Sequence, residues 1–200
     1  MLLSLNEQLD KPRVAVDSMN DSFIKLYNLE QYILVDVRKK FLQDGHINAF
    51  DFFCIIIWKA NRAKTKIAQR LMNRNKNLEE SVRELTSAIF SASENKMKLE
   101  VLICDYGFRL PMASAILSLL YPDDFTVYDI RVCDTFPDFK TIDNISNFDT
   151  KWARYLEYLE SVRTYQDSHL SLRDKDRFLW GKSFHEQLTD DIKRSFKNKK

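Results

Sequence analysis

Turn-forming residues are scarce in this chain, with 3 glycines and 4 prolines in 200 residues. So little turn chemistry argues against architectures of many short strands and for helices joined by short loops. Long apolar runs are missing too. The longest strongly apolar stretch, Phe52 to Trp58, is far too short to cross a bilayer. Neither sign of charge dominates: 31 Lys and Arg face 29 Asp and Glu, a net +2. A nucleic-acid partner must then be held by a local basic patch, not by the field of the whole molecule. Cys54, Cys104 and Cys133 are odd in number and lack paired spacing, which sets aside a disulfide framework and a thiolate metal site. All three sit in apolar or mixed segments, where a cysteine is expected to be a small buried hydrophobe. His46, His169 and His185 are isolated, so no metal is expected, and no cofactor. Phosphate-binding glycine loops, nucleophile elbows and dinucleotide fingerprints are absent. The first residues, Met1-Leu2-Leu3-Ser4-Leu5, lack the basic start and sustained apolar core of a signal peptide. A cytoplasmic setting without membrane contact is the expectation.

What is present is a 44% apolar, 30% charged composition, that of a soluble globular protein. An all-α fold is expected, one compact helical domain over 1–200, with an irregular N-terminal segment 1–18 and a basic tail 191–200 that frays. From Asp21 to Leu42, Phe23, Leu26, Leu29, Ile33, Val37 and Phe41 recur in steps of three and four, the mark of an amphipathic helix stopped at Asp44-Gly45. Asn48 or Asp51 is placed to cap the segment Phe52 to Trp58, which reads as a buried helix because its neighbours are helical, although its β-branched residues favour strand locally. Lys59 to Lys76 is strongly basic. Glu79 to Phe90 reads as an amphipathic helix, and Lys98 to Asp105 as a short one. Residues 136–148 read as a loop, Asp149 or Thr150 as the start of a further helix, and Ser171 as the start of the last.

The most informative stretch is Gly107-Phe108-Arg109-Leu110-Pro111-Met112-Ala113-Ser114-Ala115-Ile116-Leu117, followed by Phe125-Thr126-Val127-Tyr128-Asp129-Ile130-Arg131. It reads as a tight turn, a short helix apolar on every side, a second turn at Pro122-Asp123-Asp124, and an acid at the start of another helix. A helix without a polar face must be surrounded by protein. It forms a rigid post that delivers Asp129 and Arg131 to one place.

This order resembles the helix-hairpin-helix DNA glycosylase superfamily, in which a Gly-rich hairpin precedes an invariant aspartate. Gly107 falls on the hairpin's first glycine, Ala113 on its small helix residue and Asp129 on the catalytic aspartate. The chain is also similar to an uncharacterised bacterial branch of glycosylase-like architecture. Shared features are Trp58-Lys59, the helix Pro111 to Leu117, Asp129-Ile130-Arg131, and a late Leu-Arg-x-x-Asp-Arg-x-Leu-Trp at Leu172 to Trp180. The resemblance implies a helix-hairpin-helix glycosylase fold. Its implied activity is hydrolysis of the N-glycosidic bond of a damaged or modified base flipped from DNA, in bacterial repair or in defence against phage DNA. Two departures stand out. The hairpin's second glycine is Arg109, which removes the close backbone approach to a phosphate. The position of the nucleophilic lysine of bifunctional members is Pro111, so a monofunctional enzyme is expected.

Asp129 is the expected catalytic residue, stabilising the positive charge that builds on the sugar or orienting the attacking water; capping of a helix beginning at Ile130 is the plainer role. Lys59, Arg62, Gly107, Arg109 and Arg131 are the expected phosphate contacts, and Trp58, Tyr106 and Tyr128 the expected grip on the base. For Arg131 an ion pair with Asp134 or Asp129 stays open, and for Trp58 a place in the core. Asp176, Arg177 and Trp180 read as structural support, a buried Asp–Arg network bracing the cleft. DNA is the expected partner. An inactive scaffold that binds nucleic acid or a protein is the alternative, and a helical interaction module using Trp152 to Trp180 is the third reading.

Overall fold

Short polar side chains start five of the described helices, as their preference for N-caps dictates. In the computed structural model, which describes residues 23–75, 77–166 and 169–194, Asn28 opens Leu29–Tyr32 (α1) by accepting from the Gln31 N–H. The chain continues through a π-helical segment, Ile33–Val37, into Arg38–Asp44 (α2). Gly45 ends it at φ +73, a left-handed conformation that favours glycine, with the Phe90 ring 3.2 Å from where a Cβ would stand. Asn48, and not Asp51, caps Ala49–Ala60 (α3). Asp51 is instead buried, accepting from the Tyr32 hydroxyl at 2.6 Å and from Lys40 Nζ at 2.9 Å.

The expected buried helix at Phe52 to Trp58 thus forms within α3, its β-branched residues outweighed by burial against helical neighbours. A 3-10 turn, Asn61–Ala63, leads to Lys64–Asn75 (α4), and Asn77 caps Leu78–Ser91 (α5), which packs against α4. Next come Asn95–Glu100 (α6), a π-helical segment Val101–Asp105, and Leu110–Leu120 (α7). Residues 136–148, expected as a loop, hold two further 3-10 turns, Pro137–Phe139 and Ile142–Asn144. Asn147 caps Phe148–Thr164 (α8), two residues earlier than expected. Ser171 caps Leu172–Lys193 (α9). The expected irregular segment 1–18 lies outside the described residues. Of the expected tail, residues 191–193 belong to α9, and 195–200 lie outside the described residues.

Helix α7 is the post that its sequence implies. Leu110 and every residue from Met112 to Leu120 are buried, with α2, α3, α6, both π-helical segments and the turn Ile142–Asn144 against it. Burial of each of its Leu and Ile side chains stabilises the fold by about 1.5–3 kcal/mol. Both ends of α7 are satisfied from a distance. Asp143 Oδ1 accepts from the Leu110 N–H at 3.0 Å, and the Arg38 guanidinium donates to the Leu120 carbonyl at 3.2 Å.

Among the described residues there are no strands, and none of the helices is long and apolar enough to cross a membrane. Cys54 and Cys133 are buried as expected. Cys104 is exposed, because the Val101–Asp105 segment turns that side away from the core.

Candidate functional site

Between α7 and α8 the chain runs as a buried strap without regular secondary structure, residues 125–129. Without a neighbouring strand, its backbone groups need other partners. Aromatic hydroxyls supply them. Tyr155 Oη donates to the Thr126 carbonyl at 2.6 Å and accepts from the Thr126 N–H at 3.2 Å, while Tyr158 Oη donates to the Val127 carbonyl at 2.8 Å. From the post, Ser114 Oγ accepts from the Tyr128 N–H at 2.9 Å. Both tyrosines are fully buried, and desolvation pushes their hydroxyls well above the usual range, so they stay neutral donors. The strap is thereby fixed on two sides and ends on Asp129.

Asp129 Oδ1 accepts from the Arg131 N–H at 3.0 Å. The bond closes a tight local turn; the 3-10 turn that follows, Val132–Asp134, begins after Arg131 without a side-chain cap, so the α-helix expected to start at Ile130 does not form. Its other oxygen forms an ion pair with Lys59 Nζ from the last turn of α3. The two side chains are only 20% and 15% exposed, so the pair is shielded but still reaches solvent through a cavity.

That cavity holds about 320 Å³ and is lined by Glu30, Trp58, Lys59, Val127, Asp129, Arg173, Asp176, Arg177 and Trp180. Six of the site residues expected from the sequence therefore meet here: Trp58, Lys59, Asp129, Asp176, Arg177 and Trp180. Three acids and three bases balance one another. Glu30 accepts from Arg173 Nε at 2.8 Å and from Arg177 Nε at 3.0 Å. Arg173 also ion-pairs with Asp176, and its guanidinium lies 5.0 Å from the centre of the Trp58 ring. Burial pushes the Asp176 carboxyl up to about 6, against the pull of Arg173 and Lys59, with the Asp129 charge adding to the rise. Asp176 is thus held close to neutral pH beside a carboxylate that is ion-paired.

The other expected residues lie apart from the cavity lining. Arg131 turns outward, its guanidinium 5.2 Å from the Trp180 ring centre and 5.5 Å from that of Phe184, with a hydrogen bond to Gln187 Oε1 at 2.8 Å. It makes neither of the ion pairs left open for it; Asp134 takes Lys140 at 3.0 Å and Ser183 at 2.9 Å. Arg62 is exposed on the Asn61–Ala63 turn. Tyr128 does not face the cavity. It is buried edge-on against Tyr158 and donates to the Phe139 carbonyl at 2.7 Å, while its neighbours Val127 and Asp129 line the cavity. Tyr106 is also outside the cavity, half-buried with the Arg74 guanidinium 4.3 Å over its ring.

The hairpin is built as a helix stop. The Phe108 N–H donates to the Leu102 carbonyl at 2.9 Å, and Gly107 takes φ +66. Two cations of the basic run close it: Arg70 donates to the Gly107 carbonyl, and Arg74 to that of Asp105 at 2.5 Å. Arg109 is exposed and ion-pairs with Asp143. No metal-holding cluster of His, Cys, Asp and Glu exists among the described residues.

Glu30 was not foreseen, and neither were the roles of Tyr155 and Tyr158. In the sequence, Glu30 is one acid on an amphipathic helix, 143 residues from Arg173. The two tyrosines sit at helical spacing and read as core.

No model of a known protein family, no curated protein and no solved structure matches this chain.

Proposed function

We propose that the protein is a monofunctional DNA glycosylase of the helix-hairpin-helix type, acting on a base turned out of the DNA stack. The observation that carries this reading is the convergence of Asp129, Lys59, Trp58 and Trp180 on one cavity of about 320 Å³, at the end of a strap anchored to a buried post. A cavity with aromatic walls and a shielded carboxylate suits a flat base and the sugar behind it. The hairpin closed by Gly107, followed by the apolar post and then by Asp129, adds support from chain order. That part is fold-level analogy.

In this mechanism the N-glycosidic bond breaks with its electron pair leaving on the base. Asp129 stabilises the positive charge left on the sugar and orients a water, whose oxygen bonds to the anomeric carbon. The water's proton passes to solvent and the departing base takes up another, giving free base and an abasic sugar. Lys59 holds the Asp129 carboxylate in place through their ion pair. Arg62, exposed on the Asn61–Ala63 turn, is the cation proposed to meet a phosphate.

The test is base release read by mass spectrometry from duplex and single-stranded DNA carrying a panel of damaged and modified bases, with Asp129→Asn beside the wild type. Release abolished by the substitution, with the circular dichroism unchanged, supports the proposal. Release unaffected by it removes Asp129 from the chemistry. Trapping with borohydride adds a second arm: a covalent adduct lost in Lys59→Arg would make the enzyme a lyase and overturn the monofunctional part.

An inactive scaffold that grips nucleic acid elsewhere than at the hairpin is the alternative, because the hairpin's cations are taken up within the chain. Arg109 spends its guanidinium on Asp143 and Arg70 spends its own on the hairpin carbonyl. Salt-dependent DNA binding that survives Asp129→Asn, with no base released from any substrate, would select that reading.

A further inference from the structure

Beside the cavity mouth, α9 presents two rings to solvent. Trp180 and Phe184 are stacked with planes 9° apart and centroids 5.5 Å apart, and they are 42% and 43% exposed. One turn apart on the helix, the two parallel rings form an exposed apolar ledge. Arg131 lies against both rings and is pinned there by Gln187. The nearby carboxylate of Asp134 is occupied by Lys140 and Ser183, so it does not draw Arg131 away.

Two connections tie this ledge to the site. Trp180 itself lines the cavity, and the Arg131 backbone N–H holds the Asp129 carboxylate. A ligand part resting on the ledge is therefore next to whatever fills the cavity.

We propose that the Trp180–Phe184–Arg131 ledge is a stacking subsite for a nucleobase, the base of the nucleotide adjoining the one whose own base enters the cavity. This rests on the nucleic-acid reading above. Every base has a π-face, so aromatic stacking serves without regard to sequence. A cation against the rings matches the phosphate between the two nucleotides. Flipping one nucleotide out of a duplex costs its neighbour a stacking partner, and the ledge replaces that partner.

The probe is a fluorescein-labelled duplex carrying one tetrahydrofuran abasic analogue with 2-aminopurine on either side. 2-Aminopurine darkens when it stacks on an aromatic ring. The wild type is expected to bind at low salt and to quench the 2-aminopurine on one side. Trp180→Leu combined with Phe184→Leu is expected to abolish that quenching and to weaken binding by about 5- to 100-fold. Phe184→Trp, which keeps an aromatic ring on the ledge, is expected to retain both. The rings are half exposed, so the variants fold, as thermal melts will show.

Quenching that persists in the double variant overturns the subsite, as does unchanged affinity. Sedimentation showing a wild-type dimer that the double variant abolishes, with DNA affinity intact, assigns the ledge to a second copy of the chain and overturns it as well. A wild type that fails to bind the duplex at all brings down the nucleic-acid reading together with the subsite. Base release and duplex binding without any 2-aminopurine quenching brings down the subsite alone.

Discussion

Lys59 and Asp129, 70 residues apart in the chain, form an ion pair in the lining of the cavity. Each is shielded enough that losing the other leaves a charge short of its partner. Lys59→Met and Asp129→Asn are each expected to lower stability by about 1–2 kcal/mol. The double variant should lose less than the sum of the two. Urea unfolding of the four proteins measures the coupling; strictly additive losses would show that the pair is not energetically joined.

Asp176 sets a pH dependence of known sign. Its carboxyl titrates near 6 in the folded chain and near 3.9 when unfolded. Between those values the folded state holds the extra proton. Its stabilising contribution is complete below about pH 4 and is lost as pH rises through 6, a loss of up to about 3 kcal/mol. Asp174 and Asp134, lowered by their partners, act in the opposite sense and at lower pH. Thermal melts from pH 4 to 7 should therefore show the wild type losing stability relative to Asp176→Asn, whose own curve lacks this step. Parallel curves would mean that Asp176 is ionised throughout.

Tyr158→Phe removes the donor to the Val127 carbonyl without opening a cavity. An unpaired buried carbonyl costs about 1–3 kcal/mol. Because Val127 precedes Asp129 by two residues on the strap, base release should slow while substrate affinity changes little. A drop in Tm with turnover unaltered would show that the strap holds Asp129 in place without this bond.

The hairpin gives a contrast between backbone and side chain. Gly107→Ala forces a side chain into φ +66 although space is available, its Cβ only reaching Arg70 at 3.8 Å. The cost, about 1–2 kcal/mol, is conformational. Asp143→Ala uncaps α7 at Leu110 and should cost about 1 kcal/mol. Arg109→Ala removes an exposed ion pair and should change stability by less than either. Chemical denaturation ranks the three; an Arg109 effect as large as that of Gly107 would contradict the exposed geometry.

The post and its flanking helices were legible because their signals are local: the run Met112 to Leu120, apolar but for Ser114 and Ser118, and the steps from Leu29 to Phe41, although Asn28 opens a new helix within the single one expected from Asp21 to Leu42. The convergence of Trp58, Lys59, Asp129 and Asp176 was legible only as a set of suspicious residues. Their meeting depends on the strap, and its partners Tyr155 and Tyr158 are indistinguishable in sequence from ordinary core tyrosines. Tyr128 was misplaced because the sequence does not show that its neighbours Val127 and Asp129 line the cavity while it packs against Tyr158. Asp143 and Arg38, which finish the ends of α7, act across 33 and 82 residues, beyond any periodic pattern.

Glu30 joins α1 to Arg173 and Arg177 of α9 across 143 and 147 residues. The cavity therefore takes walls from early and late parts of the chain. Removing α9 would leave the post, the strap and Asp129 in the sequence but would take away Arg173, Asp176, Arg177 and Trp180, four of the residues that line the cavity.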